Sequence, residues 1–211
     1  MEIQEIKHIL QKCGIKRDID VSQLYLVKKG IITVPNLSRF PMLRRLWLNS
    51  NKIKNISCPT ISCCLTELYL HNNAITTISG ALSHLTCLQI LLLHNNQLRS
   101  LEESVRELRR MQCLHTVSFF LNPLTLCPEY RHYVVNHLPS VQTLDRREIK
   151  QEERMAAFQL YNPERHRVLQ SLAFGRRAEA TSLIGSSSFP KTNPNHVDQA
   201  GMSHVVEAIC V

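Results

Sequence analysis

Apolar residues recur in this chain with two nested rhythms. In short stretches they alternate. Leu24 and Leu26, Leu46 and Leu48, Leu68 and Leu70, Leu91 and Leu93, and Val117 and Phe119 each flank a single intervening residue. A period of two puts both flanking side chains on one side of an extended strand and the middle residue on the other. The pairs themselves recur. Copies start at Val21, Leu43, Leu65, Leu88 and Leu114, in steps of 22, 22, 23 and 26 residues. After each pair comes a polar turn and another apolar position: Asn51 and Ile53, Asn73 and Ile75, Asn96 and Leu98, Asn122 and Leu124. The first copy carries Lys29 where the others carry asparagine, then Ile31 and Val34.

A unit this small cannot bury its apolar face alone, so neighbouring copies must stack, strand beside strand. The frame L-x-x-L-x-L-x-x-N-x-I/L resembles the leucine-rich repeat. The resemblance implies an α/β fold: a solenoid with a parallel β-sheet on its concave face and short 3₁₀ or helical segments on its convex side. A 22-residue period leaves little room for more than that. Asn51, Asn73, Asn96 and Asn122 are expected to form a structural ladder bonded to the turn backbone. Losing one member would strand main-chain groups at a cost of about 1–3 kcal/mol.

A solenoid must also cover its ends. Glu2–Cys13 reads as a helix with Ile3, Ile6, Leu10 and Cys13 on one face and Gly14 as its stop, which gives a helical cap over 1–20. At the other end, Asn122-Pro123-Leu124 leads to Tyr130-Arg131, Tyr133-Val134, Leu138-Pro139, Val141 and Leu144-Asp145. This run resembles the C-terminal cap of an intracellular family of 22-residue repeats. That family includes a nuclear phosphatase regulator, the A-prime protein of a spliceosomal particle and an axonemal dynein light chain. The resemblance spans Val21 to Met155 and sets the repeat domain at 21–145. Lys29 and the long step from Leu88 to Leu114 depart from the pattern. Tyr161–Leu169 suggests one particular member of the leucine-rich-repeat proteins.

A helical extension is expected over 146–177. Its first helix covers Glu148 to Leu160. A second has Asn162 as N-cap, Pro163 in the first turn, an apolar stripe of Val168, Leu169, Leu172 and Ala173, and a stop at Gly175. The stripe packs back on the solenoid, receives a partner or belongs to a disordered segment. Residues 178–211 read as a disordered tail, with Ser186-Ser187-Ser188, Pro190 and Pro194 in a polar setting. The terminal Ile209-Cys210-Val211 has the form of a segment that could add a strand to a PDZ domain.

Charge changes this picture little. The net charge is +8, with +6 over residues 1–145 (16 basic, 10 acidic) and +2 beyond (9 and 7). The eight cysteines form no C-x-x-C pair, so no zinc knuckle is expected. No export signal or membrane-spanning stretch is read, and the thiols are expected to be reduced in an intracellular setting, cytoplasmic or nuclear; a ciliary setting is implied only by the resemblance. Phosphate-cradling loops, H-E-x-x-H and G-x-S-x-G are absent, so an enzyme is not expected, nor any cofactor or metal. His132 and His137 would diverge on a helix. His71 and His94 fall at equivalent repeat positions and should be neighbours. They fit repeat drift better than a metal site, because no carboxylate or cysteine accompanies them.

The residues between the inward pairs should face out on the sheet. The central column is Tyr25, Trp47, Tyr69, Leu92 and Ser118. One flank is Gln23, Arg45, Glu67, Ile90 and Thr116; the other is Val27, Asn49, His71, His94 and Phe120. An open face of this kind points to a partner site made by Tyr25, Arg45, Trp47, Asn49, Glu67, Tyr69, His71, Leu92, His94 and Phe120. The expected partner is another protein, bound by a monomer, with no membrane involved and nucleic acid contact absent or indirect. In the alternative reading, Arg44, Arg45, Lys52 and Lys54 surround Trp47 and touch RNA within a ribonucleoprotein. A structural role in cilia is implied only by the axonemal relative.

Overall fold

The computed structural model describes residues 17–56 and 61–180. The helix expected over Glu2–Cys13 and the tail from Thr181 lie outside them. Among the described residues, seven short strands form one sheet in chain order: β1 Gln23–Tyr25, β2 Arg45–Trp47, β3 Glu67–Tyr69, β4 Ile90–Leu92, β5 Thr116–Ser118, β6 Thr143–Leu144 and β7 Arg147–Glu148. Strands β1 to β6 are parallel and β7 pairs antiparallel with β6. The register is in phase: Leu24, Leu46, Leu68, Leu91, Val117 and Leu144 lie side by side. All six are buried, as is the second column of Leu26, Leu48, Leu70, Leu93 and Phe119. Each such side chain contributes about 1.5–3 kcal/mol by leaving water. The fold is the leucine-rich-repeat solenoid that the resemblance implies, with the inward pairs that the alternation predicts.

The turns explain the asparagines. The residue before each ladder position has a left-handed backbone: Lys28, Ser50, Asn72, Asn95 and Leu121, at φ 54° to 58°. This bend brings the next side chain under the sheet. Asn96 donates to the carbonyls of Leu70 (3.0 Å) and Leu93 (2.9 Å) and accepts from Ile75 N–H (3.0 Å). Asn51, Asn73 and Asn122 repeat the scheme. Asn96 and Asn122 are buried; Asn51 and Asn73 are half-buried. Lys29 causes no break, because Asn51 of the following repeat accepts its N–H at 2.9 Å.

The long step between Leu88 and Leu114 is absorbed on the back of the sheet. There α1, Leu101–Leu108, buries Leu101, Val105 and Leu108 and is capped by Ser100, whose side chain accepts from Glu103 N–H (3.3 Å). A 3₁₀ turn, Pro123–Leu126, then leads to α2, Tyr130–His137. Asp145 ties the last turn together. Its Oδ1 accepts from the N–H groups of Phe119 (2.6 Å) and Phe120 (3.0 Å), and its Oδ2 from the Tyr130 hydroxyl (2.8 Å). Arg131 bonds the Leu144 carbonyl (3.1 Å) and pairs with Glu153 of α3, Gln151–Tyr161.

The extension differs from expectation in two respects. Helix α4, Pro163–Ala180, runs through Gly175 without stopping. An interior glycine costs a helix about 1 kcal/mol, which a helix of this length tolerates. Asn162 stands directly before Pro163, the first residue of α4, and also closes α3; its amide donates to Asn136 Oδ1 at 3.0 Å. Val168, Leu169 and Leu172 are more than half exposed, so this stripe does not pack back on the solenoid. Among the described residues no helix is long and apolar enough to cross a membrane.

Candidate partner interface

The outward residues of the strands assemble into two ladders of rings. In the first, Trp47 is sandwiched. Tyr25 stacks on it at 3.9 Å between ring centroids and Tyr69 at 5.0 Å, both within 6° of parallel. In-phase parallel strands force this, because equivalent residues stand one strand spacing apart, about 4.8 Å. Arg45 and Glu67 flank the rings as an ion pair at 2.9 Å. The Tyr69 hydroxyl donates to the same carboxylate (2.7 Å). Partial burial, and then this bond to Glu67, push the Tyr69 hydroxyl well above its ordinary pKa.

The second ladder runs through the neighbouring column. His71 stacks on His94 (4.4 Å), His94 on Phe120 (4.3 Å), and the Arg146 guanidinium lies over Phe120 at 4.5 Å. Tyr69 meets His71 edge-on at 6.5 Å, which joins the two ladders. Burial, then the charges of His71 and Arg146, lower the His94 pKa to about 4. His71 is lowered by burial and then by Arg146. Both imidazoles are therefore neutral near pH 7. His94 Nδ1 bonds Ser118 Oγ (2.8 Å), whereas His71 Nδ1 and Asn49 Oδ1 are buried atoms without a hydrogen-bond partner.

Tyr25, Trp47, Asn49, Glu67, Tyr69, His71, Leu92, His94 and Phe120 are half-buried, and Arg45 is exposed. Two outward positions are closed rather than open: Gln23 and Ser118, at 4% and 3% exposure. The Ser118 hydroxyl is taken up by the bond to His94 Nδ1 (2.8 Å). Arg146 was missed by sequence reasoning because it belongs to the cap. Its left-handed backbone (φ 66°), just after Asp145, swings it over the sheet. The basic patch is also rearranged. Arg45 is committed to Glu67, and Lys52 and Lys54 lie past the turn, where the Lys52 N–H bonds the Ile31 carbonyl (2.8 Å). No group of three or more His, Cys, Asp or Glu among the described residues could hold a metal.

Residues 50–173 match the leucine-rich repeat family, and the chain belongs to it. Among curated proteins it is similar to human U2 small nuclear ribonucleoprotein A′, with 31% identity over 63% of this chain and 44% of the relative. The probable counterpart of Caenorhabditis elegans is 34% identical over 54% and 45%. The chain thus spans under half the length of these relatives. A chain in the crystal structure of the Drosophila melanogaster SNF/U2A′ complex superposes with a TM-score of 0.60 at 26% identity, covering 71% of this chain and 86% of that one. These relatives do not support the particular assignment drawn from Tyr161–Leu169, nor the axonemal one.

Proposed function

We propose that this chain is a non-catalytic protein-interaction module whose sheet face, from Tyr25 to Phe120, docks a protein partner inside a nuclear ribonucleoprotein assembly. The observation that carries this reading is the pair of ring ladders. Rings already stacked in place lose little freedom on binding, and Trp, Tyr and Arg supply most interface energy where they are found. The similar chain solved in the SNF/U2A′ complex supports a protein partner, and the names of the relatives support the nuclear setting. The test is affinity capture with the wild type beside Trp47→Ala/Tyr69→Ala, each with and without ribonuclease. Partners lost only by the variant support the face. Identical partners on both baits would move the search to α3 and α4.

A second reading adds RNA contact. From Val21 to Thr66 the chain holds seven Lys and Arg and not one Asp or Glu. Arg39 and Arg45 find acidic partners at Asp18 and Glu67. Lys28, Lys29, Lys52 and Lys54 are exposed in the turns of two adjacent repeats, and the described residues hold no ion pair for them. Such a rim suits a phosphate backbone. Binding through it should weaken steeply as salt rises, and salt-insensitive binding would remove this reading.

A further inference from the structure

A column of sulfur runs along the turns that lead into the strands. Each turn is closed by one backbone hydrogen bond: Leu43 N–H to the Phe40 carbonyl (3.2 Å), Leu65 to Ser62 (3.1 Å), Leu88 to Leu85 (3.1 Å) and Leu114 to Met111 (3.2 Å). The last residue of each turn is a buried leucine, and the residue before it faces solvent. That position holds Met42, Cys64, Cys87 and Cys113, so sulfur occupies it in four successive repeats. The three thiols are free and exposed.

Consecutive members of the column are neighbours in space. Two residues past the cysteines the backbones are joined, Gln89 N–H to Thr66 (2.8 Å) and His115 N–H to Gln89 (3.0 Å). This bonding holds adjacent repeats near the strand spacing of about 4.8 Å. A disulfide accepts Cα atoms about 4.4–6.8 Å apart. Side chains of these turns do reach the preceding repeat. Ser62 Oγ donates to the Pro41 carbonyl (2.6 Å). Ser140, which holds the cysteine position in the turn closed by Val141 N–H and the Leu138 carbonyl, donates to the Met111 carbonyl (3.3 Å).

We propose that Cys64, Cys87 and Cys113 form an oxidation-sensitive thiol column in which Cys87 makes an intramolecular disulfide with one of its two neighbours. A hydroperoxide oxidises one thiolate to a sulfenic acid and leaves as its alcohol, or as water from hydrogen peroxide. The adjacent thiol attacks the sulfenyl sulfur, the S–S bond forms and water departs. Two thiols give up two electrons and two protons, and the O–O bond takes them. The column stands three residues before Glu67, Ile90 and Thr116, so the cross-link would tie together the edge of the sheet face. It does not depend on what that face binds.

The test uses the full chain with Cys13, Cys58, Cys63, Cys127 and Cys210 replaced by serine, treated with hydrogen peroxide. Thiols are counted and cross-links mapped by mass spectrometry without reduction. The expected result is a fall from three thiols to one in a protein of unchanged monomer mass, with Cys87 in every cross-link. In the same background Cys87→Ser should form no intramolecular cross-link, because Cys64 and Cys113 stand about two strand spacings apart. Recovery of Cys87 unlinked, cross-links only between molecules, or a Cys64–Cys113 link would overturn the proposal. The wild-type chain, mapped in the same way, carries the test should the serine background fail to fold.

Discussion

The two ring ladders occupy one sheet face yet differ in what holds them. Tyr25, Trp47 and Tyr69 come from repeats of nearly equal length, and their stacking follows from strand register alone. The charges that act on Tyr69 form a pair that neutralises itself, Arg45 with Glu67. His71, His94 and Phe120 stack by the same register, but their column ends under a cation supplied by the cap. The first half is thus an apolar aromatic platform whose properties should change little with pH. The second carries two groups held neutral against a nearby positive charge. Repetition sets positions, and the end of the array sets their electrostatics.

The largest effect that should separate the halves is on binding. Trp47→Ala with Tyr69→Ala is expected to weaken the partner by at least about 30-fold, the scale of a hot spot of 2 kcal/mol. His71→Ala with His94→Ala should cost clearly less in the same titration, and equal losses would erase the distinction. Beneath the face, Asn96→Ala should lower the unfolding free energy in urea by about 1–3 kcal/mol. Asn51→Ala should cost less, because it is half-buried, and an unchanged midpoint for Asn96→Ala would remove the ladder as a source of stability.

The pH response comes next in size. His94 and His71 have lower pKa values folded than unfolded, so above about pH 6.5 both states are neutral and stability is at its full value. Below it the unfolded chain takes up protons first. Stability should therefore fall between about pH 6.5 and pH 4, by about 1 kcal/mol given that the rings are only partly screened from water. His71→Asn with His94→Asn should flatten that part of the curve, while Trp47→Phe should leave its slope alone. An equally steep curve in the histidine variant would place the acid sensitivity elsewhere. The smallest effect is that of Arg146→Gln. It should raise the His94 pKa measured by NMR and cost about 0.5 kcal/mol through the lost contact with Phe120.

Much of the fold is legible in the sequence, because in-phase alternation over four well-formed copies leaves one way to bury the leucines. Which side chains share the outer face follows from the same alternation. What could not be read depends on contacts between distant parts of the chain. Arg146 reaches the face only because Asp145 and the turn after β6 aim it there. Gln23 and Ser118 alternate correctly and are nonetheless closed off. The reach of α4 past Gly175 was hidden because one glycine weakens a helix without ending it. The basic rim was obscured by averaging charge over 145 residues, when the informative stretch was the acid-free run from Val21 to Thr66.

The antiparallel step from β6 to β7 has a consequence for how such chains change in length. A stack of parallel strands has no natural end, since each new strand offers the edge that the next one needs. Reversing the last strand, two residues long and charged at Arg147 and Glu148, closes that side of the sheet. Growth by duplication must then occur inside the array, where each copy already matches the register of its neighbours. A terminus of this kind turns an open-ended polymer of repeats into an object whose length is edited from within.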